Sequence, residues 1–121
     1  MRVLMAEDDQ TFSAEVAVAL RAQGCHVQFA RTASEAVALL EEEPFSLVLL
    51  DLVLESGDGL AILDRMRKDK RDVPVIVITE HLRSYVSELA SFFEQVKLIV
   101  AKPYPARALA MNVAALAAEI A

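Results

Sequence analysis

Five times in this chain a short apolar run is followed by a segment with helical spacing, and four of those runs stop at a chemically active residue. Residues 3–6 (VLMA) end at Glu7-Asp8-Asp9, residues 47–50 (LVLL) at Asp51, residues 75–78 (VIVI) at Thr79, and residues 98–101 (LIVA) at Lys102. Runs this short without polar alternation read as strands buried on both faces. His26–Ala30 instead alternates polar and apolar residues, as a half-wet strand near a sheet edge does. Strands alternating with helices specify an α/β domain doubly wound on a parallel sheet. Right-handed crossovers then put the C-terminal end of every strand on one edge. Glu7, Asp8, Asp51, Thr79 and Lys102 must therefore converge there, although they span most of the chain.

The intervening segments carry their own signals. Residues 10–23 place Phe12, Val16, Ala19 and Leu20 on one helical face, and Gly24 supplies the stop. Thr32-Ala-Ser-Glu35 is a capping box. Its helix runs to about residue 43 with Ala33, Ala36, Val37 and Leu40 inward, and Pro44 marks the end. A loop is expected from Asp51 to Gly59, with Asp58 capping the helix over 60–68 and Gly59 supplying a turn. Residues 81–93 form a helix with Leu82, Tyr85, Val86, Leu89, Ala90 and Phe93 on one side. Pro105 opens the last helix, whose apolar line is Leu109, Val113, Leu116 and Ile120.

Bulk properties narrow the function. The 121 residues fit one domain, 1–121, and 55% hydrophobic residues can bury a core. The net charge of −6 argues against a dominant nucleic-acid surface, so no direct DNA binding is expected. A single cysteine, Cys25, excludes an intrachain disulfide and a thiolate zinc cage. The first residues meet charge after four apolar positions, unlike a signal peptide, and no run nears the roughly 20 residues of a membrane span. A soluble intracellular protein is expected.

The chemistry of such a sheet edge is constrained. Carboxylates crowded together do not all stay ionised without a cation. A lysine offsets one charge and a divalent metal two. Carboxylate oxygens with waters suit Mg²⁺. A carboxylate can also attack a phosphoryl group, while metal and lysine neutralise the transferring oxygens and a threonine hydroxyl donates to another.

With Glu7-Asp8-Asp9, Asp51, Asp58-Gly59, Thr79 and Lys102-Pro103 in order, each at the end of its element, the sequence resembles the receiver domain of bacterial two-component response regulators. The resemblance covers residue 2 to about residue 120. It implies a flavodoxin-like sheet of strand order 2-1-3-4-5 with five helices. It implies Asp51 as phosphoacceptor, Mg²⁺ (or Mn²⁺) held by Glu7, Asp8, Asp51 and the backbone carbonyl of Val53, Thr79 as the switch hydroxyl, and Lys102 as partner of the phosphoryl group. Glu7 and Asp8 sit directly on the strand tip, with Asp9 the alternative ligand. Phosphate would come from a sensor histidine kinase or a histidine phosphotransfer protein in the bacterial cytoplasm. Output would go to another protein, and a homodimer through the helix 4/strand 5/helix 5 face is a candidate assembly.

Departures from the family pattern leave the phosphorylation residues in place and bear on output, with Glu80 also near enough to the site to crowd it or oppose its charge. Glu80 replaces the small residue usual after the threonine. Ile99 stands where an aromatic switch residue is expected, and Glu55 where proline is common. His81 and Val53 occupy positions that the resemblance links to access of the attacking water. These departures keep a rival reading open: a constitutive, phosphorylation-independent interaction module on the same fold. A Mg²⁺-dependent phosphatase lacks an acid-base partner for Asp51, and a dinucleotide-binding fold lacks the glycines its first turn needs. Beyond phosphoryl acceptance and self-dephosphorylation, no enzyme activity is expected.

Overall fold

A computed structural model describes residues 1–54 and 57–120, the side chains of residues 58 and 120 excepted. Its elements are β1 (Arg2–Ala6), α1 (Gln10–Ala22), β2 (His26–Ala30), α2 (Ala33–Glu42), β3 (Leu47–Asp51), β4 (Val53–Leu54), β5 (Gly57–Asp58), α3 (Leu60–Lys68), β6 (Val75–Thr79), α4 (Leu82–Ala90), β7 (Val96–Ala101) and α5 (Ala106–Ile120). The main sheet is parallel throughout, in the order β2-β1-β3-β6-β7. Leaving aside the small antiparallel pair β4–β5, this is the 2-1-3-4-5 order expected.

The unbroken apolar runs are explained by two cores. Leu4, Ala6, Val48, Leu50, Val75 and Val77 face Ala36 and Leu40 of α2, Ile62 and Met66 of α3, and Leu89 of α4. Their strand neighbours Val3, Met5, Leu47, Leu49, Ile76 and Ile78 face Val16 and Leu20 of α1 and Leu109 and Val113 of α5. The side chains of residues 3–6, 47–51 and 75–79 are thus buried, and each large apolar one contributes about 1.5–3 kcal/mol. A polar residue anywhere in these strands before their ends would have no partner. Polarity is confined to the strand tips, where the site forms. Among the described residues no helix is long and apolar enough to cross a membrane.

Caps set the helix limits. Asp9 caps α1, its Oδ1 accepting the Phe12 N–H at 3.1 Å. Thr32 Oγ1 accepts the Glu35 N–H at 3.1 Å, but the returning limb of the box goes one residue further out, with Glu35 Oε2 accepting the Arg31 N–H at 3.1 Å. Gly24, at φ +89°, follows α1 in the left-handed conformation that glycine adopts without strain.

Several boundaries differ from the sequence reading. α4 ends at Ala90, where Ser91 Oγ donates to the Glu88 carbonyl at 2.8 Å, instead of running to residue 93. Beyond that point helical spacing no longer applies. Phe92 turns into the core under the Arg67 guanidinium, 4.5 Å from its ring centroid, while Phe93 is 73% exposed. Val86, also expected inside, is 57% exposed. β7 starts at Val96, two residues early, and α5 starts at Ala106, with Pro105 supplying the carbonyl for the Leu109 N–H at 3.0 Å. Glu55 and the side chain of Asp58 lie outside the described residues, so the expected cap at Asp58 is not described; Gly59 itself holds the N-cap position of α3.

Candidate functional site

The strand tips meet as the topology requires. β1 delivers Glu7, β3 delivers Asp51, and β7 delivers Lys102 from the far side of β6. The Lys102 Nζ pairs with Asp51 Oδ2 at 2.9 Å and with Glu7 Oε1. All three side chains are nearly removed from solvent, at 8% exposure for Lys102, 8% for Asp51 and 0% for Glu7. The other oxygen of Asp51, Oδ1, accepts the Val53 N–H at 3.0 Å, which fixes the carboxylate plane. Glu7 Oε2 accepts the backbone N–H groups of Asp8 at 2.9 Å and Asp9 at 3.3 Å, a bracing of the β1–α1 turn that sequence reasoning did not supply. Lys102 also lies 5.1 Å from the centroid of the Phe12 ring.

Glu7, Asp8 and Asp51 bring carboxylate oxygens within 4.8 Å of one another. Asp9, the alternative ligand, is outside this group. Its carboxylate serves the first turn of α1. Glu7 and Asp51 share one lysine, and Asp8 has no cation of its own among the described residues. Burial accordingly pushes the Glu7 carboxyl up to about 7, with Lys102 acting against the shift and Asp51 adding to it. Burial alone would lower the Lys102 ammonium, but its bonds to Glu7 and Asp51 outweigh that and hold it above its ordinary value. An all-oxygen donor set with two uncompensated negative charges fits a hard divalent cation such as Mg²⁺ or Mn²⁺.

Thr79 is placed differently from the other expected residues. It is fully buried, its Oγ1 accepts the His81 N–H at 3.0 Å, and its carbonyl accepts the Lys102 N–H at 2.9 Å. The cavity over Asp51, about 150 Å³, is lined by Asp8, Asp9, Val53, Glu80, His81 and Lys102, and the buried Thr79 is not among its lining residues. Its hydroxyl proton remains available to an acceptor.

Gly59 lies in a turn, as expected, and it also supports Asp51 for a steric reason. Its φ of −64° suits any residue, but a Cβ there would collide with the Asp51 carbonyl oxygen and lie 2.9 Å from Leu52 Cα. The Gly59 N–H donates to the Leu52 carbonyl at 2.7 Å. Gly59→Ala is expected to cost roughly 2 kcal/mol of stability, read by urea denaturation, because backbone rather than a flexible side chain must move. A cost near zero would mean that the loop yields freely.

Comparison with known proteins agrees with this architecture. A doubly wound sheet bearing clustered carboxylates and a lysine at one edge defines a class of α/β domains with a site at the strand ends. The chain matches the model of the response regulator receiver domain over residues 3–114 and belongs to that family. It is 42% identical over 79 residues to the transcriptional regulatory protein PmrA of Pectobacterium parmentieri, an alignment covering 65% of this chain and 36% of that protein. The chain thus spans about a third of the length of that curated relative. Among solved structures, a CheY-like receiver domain protein from Methanospirillum hungatei JF-1 superposes with a TM-score of 0.85 at 26% identity, covering 98% of this chain and 94% of that one. The response regulator TrrA of Thermotoga maritima, solved in complex with Mg(2+)-BeF, gives 0.79 at 25% identity, covering 95% and 97%.

Proposed function

We propose that residues 1–121 work as one phosphoacceptor unit of a two-component relay, with Asp51 receiving the phosphoryl group. The observation that carries this reading is the Asp51 carboxylate, buried and held by Val53 and Lys102 within ligand reach of Glu7 and Asp8. Glu7, Asp8, Asp51 and the Val53 carbonyl would hold Mg²⁺, or Mn²⁺ in its place. The metal would supply charge neutralisation at the phosphoryl oxygens. The Mg(2+)-BeF complex of the Thermotoga relative supports that assignment.

The donor is a phosphohistidine of a sensor kinase or phosphotransfer protein. An Asp51 oxygen forms the new O–P bond as the P–N bond breaks. The electron pair stays on the imidazole nitrogen, which takes up a proton from solvent. Lys102, released from Asp51, follows the charge onto the phosphoryl oxygens, and the Thr79 hydroxyl turns to donate to one of them. Those two residues lead into α4, β7 and α5, where Val86, Ile99 and Met111 are 57%, 40% and 67% exposed. That face would bind the downstream protein or a second copy of the chain. The setting is the bacterial cytoplasm, and no direct DNA contact is assigned to this unit.

The test is intact mass after incubation with Mg²⁺ and phosphoramidate, beside titration with beryllofluoride. One phosphoryl group added only with Mg²⁺, and Mg²⁺-dependent beryllofluoride binding, are the expected results. Failure of both would turn the assignment toward the constitutive module.

A further inference from the structure

We infer that Glu80 is a charge filter on the phosphodonor, so that the site disfavours small doubly charged phosphate compounds and favours a donor protein that brings cationic side chains with its phosphohistidine. This rests on the phosphoacceptor reading of Asp51. Glu80 follows Thr79 at the tip of β6 and is exposed. It lines the 150 Å³ cavity over Asp51 and also a neighbouring cavity of about 440 Å³ walled by Phe12 and Tyr104. Glu80 therefore borders both cavities next to Asp51.

The charge balance makes that carboxylate matter. Asp8, Asp9, Asp51 and Glu80 line the inner cavity, and Lys102 is its only full cation among the described residues. Lys102 is already bound to Asp51 and to Glu7 beneath. A divalent cation would be taken up by Asp8 and the buried pair. Asp9 faces the positive end of α1 and receives the Phe12 N–H. Glu80 makes no ion pair or hydrogen bond with the described residues, so its charge stands uncompensated at the mouth. An incoming dianion meets it at the solvent-exposed rim, where the repulsion is screened by salt but still grows with the donor's charge. A donor surface bearing arginine or lysine would instead find Glu80 as a complementary charge beside the aromatic walls.

The test compares the whole parent chain with Glu80→Gln, which keeps shape and removes charge. Phosphorylation rates are read by intact mass at fixed Mg²⁺ with singly charged phosphoramidate and doubly charged acetyl phosphate. Because Coulomb energy scales with donor charge, the enhancement for the dianion should be about the square of that for the monoanion: roughly 10-fold against roughly 3-fold. The gap should close in high salt. A phosphohistidine peptide flanked by arginines should outperform one flanked by glutamines on the parent, and lose that advantage on Glu80→Gln. Equal gains with both small donors, or none while Mg²⁺-beryllofluoride still binds, would overturn the filter and leave the phosphoacceptor assignment intact. If neither protein is phosphorylated nor binds beryllofluoride, the assignment itself fails and the filter with it.

Discussion

In Mg²⁺-free buffer at neutral pH, an Asp51→Asn protein is expected to melt several degrees above the parent while taking up no phosphoryl group at all. Loss of acceptance follows from the proposed role of Asp51 as the carboxylate that receives the phosphoryl group. The gain in stability follows from the packing. Two carboxylates, Glu7 and Asp51, are buried against one ammonium, and a third, Asp8, lies within 4.8 Å. For Glu7 the attraction to Lys102 does not offset burial, and its carboxyl is raised, with Asp51 adding to the rise. Replacing the Asp51 carboxylate by an amide leaves Lys102 with a single carboxylate partner and relieves that repulsion. A gain of roughly 1–2 kcal/mol follows, worth about 3–8 °C in Tm for a chain of this size. Thermal melts by circular dichroism with a chelator present would read it. A Tm clearly below the parent would mean that the bonds of Asp51 to Val53 and Lys102 outweigh the repulsion.

The second expected result is a stability that falls as pH rises. Glu7 has a carboxyl near 7 in the fold against an ordinary 4.5. Between those values the unfolded chain has released this proton and the folded one still holds it, so raising the pH favours unfolding. The metal-free protein should lose about 3 kcal/mol from this group across that window, with the full contribution present below pH 4.5. This is opposite in sign to a salt-bridged surface acid such as Asp64, held low by its bonds to Lys68 and Arg67, which is half-buried at the surface and contributes little. Urea denaturation at pH 5, 6 and 7 with chelator would show the fall. Mg²⁺ should flatten it, because binding favours the ionised carboxylates. A flat or rising metal-free curve would place the Glu7 proton elsewhere.

Most of the architecture was legible because burial on both faces leaves no ambiguity in a strand. Residues 47–50 and 75–78 had to be central, and Asp51 and Thr79 had to mark their ends. The convergence of Glu7, Asp8, Asp51 and Lys102 followed from topology alone. What escaped the sequence reading depended on single contacts. Asp9 and Asp8 are the same residue type side by side, and only the bond from the Phe12 N–H assigns Asp9 to the helix. The β4–β5 pair has two residues per strand, too few for any periodicity. Phe92 and Phe93 differ in burial because the helix stops at Ala90, a boundary that no glycine or proline announces. The steric demand at Gly59 comes from the backbone of Asp51 and Leu52, which spacing cannot reveal.

The pairing of Lys102 with Glu7 joins the last strand of the sheet to the first. On the phosphoacceptor reading proposed above, the cation assigned to the phosphoryl group is therefore the last component of the site to emerge as the chain is synthesised. A nascent chain that has formed β1, β3 and β6 would present its carboxylates without that cation until β7 docks on β6. Phosphoryl acceptance would in this way be tied to completion of the sheet, and a truncated translation product ending before residue 102 would hold the acids without their lysine.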